Sequence, residues 1–265
     1  MRFPIRRAAA ALLLAALAAA SPARAAETVP KPAGFHLEPD RGRGTLAGLR
    51  ARMSAAELDQ VLRLNRVDAA HAASLDSLVV PDAVTGFVAP SPFPERIPRA
   101  DSVARLVIVS LRVQAFALVD SGRCVFWGPI SSGSETTPTP PGSYHVNWKL
   151  PVHVSTVDES WVMRWCMNLD NREGTALHQY DLPGRPASHC CVRLLEEDAH
   201  RLFDAVEEWR LAKDGRTILA PGTPVWVIGA YDFDAPPPWR RLPVDPRADR
   251  VSAGELQAAL ASDDR

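Results

Sequence analysis

The residues best able to do chemistry are concentrated in one short part of the chain. His178 is followed by the run Ser188-His189-Cys190-Cys191-Val192-Arg193, and a helix is predicted directly after this run. Thiolate is the nucleophilic form of cysteine, and a nearby imidazole or a helix N-terminus favours it. A histidine from a preceding strand and a cysteine on a turn into a helix are the arrangement that nucleophilic acyl transfer requires. The segment therefore predicts a cysteine nucleophile with a histidine base.

Strands dominate the region that must hold this segment. The apolar run from Leu106 to Val109, the alternation from Ser110 to Ala115 and the turn at 120–123 predict a β-hairpin. Further short strands are predicted at 144–146, 161–168 and 223–228. One helix, from Glu196 to Leu211, has apolar residues along one face. We therefore predict a mostly β domain over 103–232 with one or two packed helices.

A small module is predicted before this domain, over residues 45–82. Apolar residues at helical spacing predict two short helices, and Ser54 with Glu57 forms a capping box at the start of the second. A short apolar strand at 75–81 follows. The two helices, the run Leu64-Asn65-Arg66 and this strand resemble a degenerate LysM repeat, a small glycan-binding module. The alternative for this segment is a helical cap packed on the main domain.

The N-terminal residues predict export, and the C-terminal residues predict a tail. Arg2, Arg6 and Arg7, the Ala/Leu run at 8–20 and Ala23-Arg24-Ala25 predict a secretory signal peptide over 1–25. The apolar run is shorter than the about 20 residues that span a bilayer, so no membrane span is expected after cleavage. We further predict an extended leader at 26–44, a Pro-rich linker at 83–102 and a Pro-rich charged tail at 233–265, beyond the end of the compact fold.

The net charge argues against one class of function, and the cysteine spacing predicts the redox state of the thiols. The formal net charge is −1, with acids and bases mixed throughout, which argues against the basic stripe of a nucleic-acid binder. The four cysteines include the adjacent pair Cys190 and Cys191, a spacing unlike that of small disulfide scaffolds, so at least one thiol is expected to stay reduced. Cys124 and Cys166 are predicted on strands, either as core residues or as a structural pair.

Several blocks, in the right order, resemble the L,D-transpeptidase (YkuD) catalytic domain family. The run from Ser188 to Arg193 is similar to the family's Ser-His-Gly-Cys-Ile/Val-Arg motif, and His178 stands at its upstream histidine. Residues 128–133 and 139–144 resemble its Pro-Val-Ser-Thr-Gly and Thr-Pro-x-Gly-x-Phe/Tyr blocks, and 222–225 its closing Gly-Thr-x-Val strand. The similarity spans residues 103–229 and implies a β-sandwich-like catalytic domain.

The resemblance also implies a role for each residue of the cluster. Cys191 attacks a peptide carbonyl and His178 accepts the thiol proton. Backbone amides of Cys190 and Cys191 stabilise the oxyanion. The implied pocket residues are Ser188, His189 and Cys190, and the implied substrate-binding residues are Arg193, through a carboxylate, and Gln179, whose carbonyl holds the tautomer of His178. The resemblance implies no metal and no cofactor.

Two positions depart from the family motif, since Gln179 and Cys190 stand where the family has glycine. If the turn needs a positive φ, a side chain at 190 adds strain and disturbs the oxyanion hole. Cys190 is then a neutral replacement, a redox partner or a resolving thiol. A zinc site built from this cluster is disfavoured, because adjacent cysteines chelate one zinc ion poorly.

The implied function is peptidoglycan crosslinking or remodelling in the periplasm or cell wall, through a cysteine thioester formed on tetrapeptide stems. The implied partners are stem peptides, and glycan strands for the N-terminal module. Two alternatives stay open: an L,D-carboxypeptidase or endopeptidase of the same fold, and a catalytically impaired protein that binds or scaffolds the wall.

Overall fold

The computed structural model describes residues 34–39, 44–97, 100–155 and 157–257. The predicted signal peptide and most of the predicted leader lie outside these residues. In the described part of the chain, no helix combines the length and the apolar character needed to cross a membrane.

The N-terminal module is a two-stranded sheet with two helices between its strands. Strand β1 (Phe35–Pro39) is followed by α1 (Gly44–Arg52), α2 (Ala55–Leu64) and β2 (Ser77–Pro81), and β1 pairs antiparallel with β2. The two predicted helices and the strand are confirmed, and so is the capping box, in which Ser54 and Glu57 exchange hydrogen bonds. Strand β1 was missed because its apolar–polar alternation, Phe35 to Glu38, is short and lies in a segment rich in Pro, Gly and charge.

Nine strands of the described residues form the main sheet. They are β3 (Arg105–Ser110), β4 (Ala115–Asp120), β5 (Arg123–Ser131), β6 (Gly142–His145), β7 (Trp148–Val154), β8 (Val162–Asn168), β9 (Ala176–Gln179), β10 (Val192–Leu194) and β13 (Pro224–Ile228). Their order across the sheet is β6-β13-β3-β4-β5-β10-β9-β8-β7, and the neighbours β13–β3 and β10–β9 run parallel. A separate small hairpin joins β11 (Arg210–Leu211) to β12 (Ile218–Ala220). The mostly β fold with few helices is thus as predicted.

The first hairpin differs from the prediction in one detail. Its second strand starts at Ala115, because residues 111–114 form a turn between β3 and β4. Gln114 takes a positive φ of 48° there, and its buried side chain donates to the Leu111 carbonyl and to Ser132. The apolar–polar alternation at 110–115, which predicted a strand, therefore lies mostly in a turn. The next turn is as predicted, with positive φ at Ser121 and Gly122.

The helix after the reactive segment, α3 (Glu196–Ala205), packs against β8 and β9 but is shorter than predicted. The chain turns to extended conformation at Val206, and the backbone of Glu207 exchanges two hydrogen bonds of 2.8 Å with Thr223. These bonds to a residue far along the chain replace the next helical turn, so the predicted extension to Leu211 is wrong.

The segment predicted as a tail beyond the compact fold is packed on it. Trp239 and Leu242 are buried in the core of the N-terminal module, and Val251 and Leu256 are buried against the main sheet. Asp249 forms an ion pair of 3.2 Å with the fully buried Arg66. Proline breaks helices and strands but does not prevent burial, and the expectation that the compact fold ends at residues 236–238 is therefore wrong.

Candidate active site

The predicted site residues meet in a cleft on one face of the main sheet. Strands β9 and β10 are parallel neighbours in which Arg193 is level with His178 and Val192 with Leu177. Because side chains alternate across a strand, Leu177 and Val192 enter the core while His178 and Arg193 face the cleft. Cys191 directly precedes β10 and also lines the cleft, which has a volume of about 360 Å³. Its aromatic wall includes Trp148, Trp161 and Tyr180.

His178 is held as a neutral base. Its Nδ1 lies 2.9 Å from the carbonyl oxygen of Gln179, and since a carbonyl only accepts, Nδ1 carries the proton and Nε2 keeps a free lone pair. Burial lowers the pKa of His178 to about 4. The imidazole is therefore uncharged at neutral pH, and Nε2 can accept a proton. The Gln179 carbonyl fixes the tautomer as expected.

Cys191 is buried at 9% exposure beside Met163, Cys166 and Ala176. Its Sγ donates to the carbonyl of Gly174 at 3.3 Å, and no hydrogen bond joins it to His178 among the described residues. The hydrogen bond to the Cys190 sulfur, together with burial, raises the pKa of the Cys191 thiol above its usual range. The resting thiol is therefore protonated.

Cys190 sits beside it at the half-buried rim of the cleft. Hydrogen bonding from Cys191 lowers the pKa of the Cys190 thiol to about 6. Burial acts in the opposite direction, and Thr175 and His189 lower the pKa by smaller amounts. Cys190 has a φ of 60°, in the left-handed region. The turn thus has the positive φ that a glycine would adopt without strain.

The predicted oxyanion hole needs a correction. The backbone amide of Cys190 donates to the carbonyl of Thr137 at 3.0 Å, and the hydroxyl of Thr139 donates to the Cys190 carbonyl at 2.8 Å. Of the two amides expected to stabilise an oxyanion, the one at Cys191 alone remains a candidate. Sequence reasoning missed this because Thr137 and Thr139 lie on a separate loop.

The prediction that the N-terminus of α3 lowers the pKa of the Cys191 thiol is wrong. Strand β10 lies between Cys191 and the first residue of α3, Glu196. Because the helix dipole acts over the first turn only, it cannot lower the pKa of Cys191, and burial instead raises that pKa.

The two predicted substrate-binding residues have different positions. Arg193 lines the cleft with its guanidinium 4.7 Å from the ring centroid of Tyr180. It forms no ion pair with any described residue, and burial lowers its pKa. The side chain of Gln179 is not part of the cleft lining, because it follows His178 on a strand and alternates to the other face. Gln179 contributes its carbonyl to His178, and its substrate-binding role stays a prediction.

Part of the chain that contains this site matches a known protein family. A family model of the L,D-transpeptidase (YkuD) catalytic domain matches residues 104–227. Residues 104–227 are therefore similar to an L,D-transpeptidase catalytic domain. No curated protein matches the chain.

Solved L,D-transpeptidases are among the structures similar to this chain. One from Xylanimonas cellulosilytica has 28% identity and a TM-score of 0.39, over 49% of this chain and 63% of that one. One from Stackebrandtia nassauensis has 25% identity and a TM-score of 0.39, over 49% and 58%. The LD transpeptidase LdtMt1, in complex with imipenem, has 21% identity and a TM-score of 0.38, over 47% and 58%. The chain thus spans less than two thirds of the length of each.

The remaining predicted pocket residues, Ser188 and His189, lie at the cleft. Ser188 is buried, and its carbonyl accepts from the amide of Ser134 at 2.8 Å and from the hydroxyl of Thr137 at 3.2 Å. His189 is exposed, with its ring 6.4 Å from that of Trp161. Ser188 thus shapes the turn, while His189 lies at the cleft opening.

Sequence reasoning missed the segment that faces both thiols. Gly174 accepts from Cys191, and the hydroxyl of Thr175 donates to the Cys190 sulfur at 3.9 Å. Asp170 and Glu173 line the same side of the cleft. A turn signal was present, since Asp170-Asn171 and Gly174 stand between two strands.

All four cysteines are free thiols, including Cys124 and Cys166. No described residues form a cluster of three or more His, Cys, Asp or Glu side chains able to hold a metal ion.

The strained turn gives a stability prediction. Cys190→Gly should be more stable than Cys190→Ala by about 1 kcal/mol, because a left-handed side chain costs roughly 1–2 kcal/mol and glycine loses roughly 0.5–1 kcal/mol in entropy. Both variants lack the thiol, so the comparison isolates the backbone. Urea unfolding under reducing conditions measures it. The same pair of changes at Ser134, whose φ is not positive, should show alanine as the more stable variant; equal stabilities at 190 would contradict the strain.

Proposed function

We propose that this chain is an exported peptidoglycan L,D-transpeptidase in which Cys191 is the nucleophile and His178 the base. The observation that carries the proposal is the tautomer of His178. With Nδ1–H donated to the Gln179 carbonyl, the free lone pair of Nε2 belongs to an uncharged imidazole in the same cleft as the Cys191 thiol. This combination supports acyl transfer through a thioester.

The proposed reaction starts from a neutral thiol and a neutral imidazole. Since the pKa of Cys191 is raised and that of His178 is lowered, the proton moves to Nε2 as Sγ attacks the carbonyl carbon of the third stem residue. The bond from that carbon to the nitrogen of the terminal D-alanine breaks, and the leaving nitrogen takes the proton from Nε2. The product is a thioester on Cys191 and a free amino acid.

The second half returns the enzyme to its starting state. An amine of a second stem attacks the thioester, the carbon–sulfur bond breaks, and Cys191 regains its proton through His178. Water as the acceptor would make the same chain a carboxypeptidase or endopeptidase. The guanidinium of Arg193, unpaired among the described residues, is proposed to bind a substrate carboxylate.

A second candidate is a wall-binding protein without turnover. Two observations favour it: the Cys191 thiol donates to Gly174 rather than to His178, and Cys190 occupies a left-handed turn. Glycan binding by the N-terminal module, which has β1-α1-α2-β2 order, belongs to both candidates as a proposal. Binding of Cys191→Ala to purified wall, with no acyl adduct in the parent, would favour this candidate.

The test is intact mass spectrometry of the reduced protein after incubation with imipenem, the compound bound in the LdtMt1 structure. The comparison uses the parent, Cys191→Ala, Cys190→Ala and Cys190→Gly. We expect one adduct in the parent, its loss in Cys191→Ala, and its retention in both Cys190 variants.

Other outcomes would change the assignment. An adduct lost in Cys190→Ala and kept in Cys191→Ala would make the low-pKa thiol of Cys190 the nucleophile. No adduct in the parent but one in Cys190→Gly would mean that the side chain at 190 silences the site, and the wall-binding candidate would lead. No adduct in any variant would contradict the proposed enzyme.

A further inference from the structure

The loop between His178 and Cys191 is held from outside the catalytic domain. Its first residues are tied to the sheet, where the amide of Tyr180 donates to Leu194 at 3.1 Å. Its last part is tied there too, with the amide of Ser188 donating to Ser132 at 3.0 Å. The middle of the loop, residues 182–184, instead contacts the segment that follows α2 of the N-terminal module.

Asp68 makes the central contact. Its side-chain Oδ2 accepts from the amide of Leu182 at 2.8 Å, and its own amide donates to the Leu182 carbonyl at 2.9 Å. Leu182 is fully buried, so both of its backbone groups need protein partners. Val67 and Pro183 form an adjacent β-bridge. The loop therefore depends on this one residue for its backbone hydrogen bonds at Leu182.

Two further contacts fix the carboxylate and the loop. The ring Nδ1 of His71 lies 2.8 and 2.9 Å from the two Asp68 oxygens, and the His71 amide donates to Oδ1 at 2.8 Å. Gly184 has a φ of 79°, and a Cβ there would lie 3.2 Å from the side chain of Leu75. The contacts with His71 thus orient the Asp68 carboxylate, and Leu75 of the N-terminal module packs closely against the loop at Gly184.

We propose that Asp68 is a positioning residue for the catalytic pair, because it fixes the loop that joins His178 to Cys191. The proposal rests on the proposed function of that pair. Attack by Sγ and proton transfer to Nε2 both depend on the separation of two side chains at opposite ends of this loop. A misplacement of about 1 Å in such a pair can slow a reaction about 100-fold.

The test compares Asp68→Ala, Asp68→Asn and Asp82→Ala. Asn keeps an oxygen that can accept from Leu182, while Asp82 lies in the same module and contacts His36 but not the loop. The imipenem acylation of Cys191 is followed over a range of concentrations. We expect the limiting acylation rate of Asp68→Ala to fall about tenfold or more with little change in the half-saturating concentration. Asp68→Asn should recover most of the rate, and Asp82→Ala should match the parent.

Hydrogen exchange of residues 180–188 provides a readout independent of acylation. Asp68→Ala should lose protection at Leu182 while Asp82→Ala does not. Unchanged exchange at Leu182, or lost protection with an unchanged acylation rate, would overturn the positioning role and leave the proposed function standing.

If the parent forms no adduct, the proposed function fails by itself, and positioning is then measured by alkylation. Asp68→Ala should change the rate at which iodoacetamide modifies Cys191 in a Cys190→Ala, Cys124→Ala, Cys166→Ala background, and Asp82→Ala in that background should not. An unchanged rate would overturn the proposal.

Discussion

His178→Gln should slow imipenem acylation of Cys191 by about 10²–10⁴-fold, the range that a positioned general base contributes. Glutamine is similar in size but cannot accept the thiol proton. The measurement is the time course of adduct formation by intact mass. His153→Ala is the control, because His153 also lines the cleft but packs edge-to-face against Trp148, with the ring centroids 5.1 Å apart. Equal rates in His178→Gln and the parent would contradict the assigned base.

The same variant should be less sensitive to acid. Folding lowers the pKa of His178 to about 4 from its usual 6.5, so the unfolded chain binds the additional proton. Stability is therefore fully present above about pH 6.5 and is lost as pH falls toward 4. Between pH 7 and 4.5 this site should cost the parent about 2 kcal/mol that His178→Gln does not lose. Urea unfolding at both pH values measures the difference, and identical losses would show that His178 is not buried in neutral form.

Asp249→Ala should lower the free energy of unfolding by about 3–5 kcal/mol, because it leaves the buried charge of Arg66 without its partner. Arg66 has no exposed surface, donates to the carbonyls of Val113 and Leu64, and lies between the rings of Trp127 and Trp239 at 5.4 and 5.2 Å. The cost is large because a guanidinium cannot give up its proton when it is buried. Urea unfolding of the purified variant measures the loss.

The matched control is Asp245→Ala, which removes an exposed ion pair with Arg241 in the same segment. That change should cost less than about 1 kcal/mol. The double variant Arg66→Met/Asp249→Ala should recover part of the lost stability, since no unpaired charge remains. A small effect of Asp249→Ala would mean that the C-terminal segment does not support the fold.

The fold and much of the cleft were predictable because their signals are local. The capping box of Ser54 and Glu57, the apolar run of β3 and the turn at Ser121 and Gly122 each depend on residues within a few positions. The order of blocks around His178 and Cys191 predicted that these residues share a site, and the parallel pairing of β9 with β10 places both at one cleft.

The electrostatic state of the pair was not predictable in the same way. A cysteine directly before a helix was expected to be activated, yet strand β10 separates Cys191 from α3. Whether a thiol is buried, and which sulfur hydrogen-bonds to it, depends on segments such as 173–175 that pack against it. The direction of a pKa shift follows from those neighbours.

By itself, the sequence predicted β3, β8, β13 and the starts of α2 and α3, and it nominated Cys191 and His178 as the reactive residues, since these follow from short-range pattern and side-chain chemistry. Only the tertiary structure decided where α3 ends and that the carbonyl of Thr137 accepts from the Cys190 amide. It also decided that Asp249 pairs with Arg66 and that Asp68 holds Leu182. Each of these depends on a buried polar group meeting a partner far along the chain. Such partners are chosen by the packing of whole elements, because a buried donor or acceptor must be satisfied wherever the fold brings one within reach.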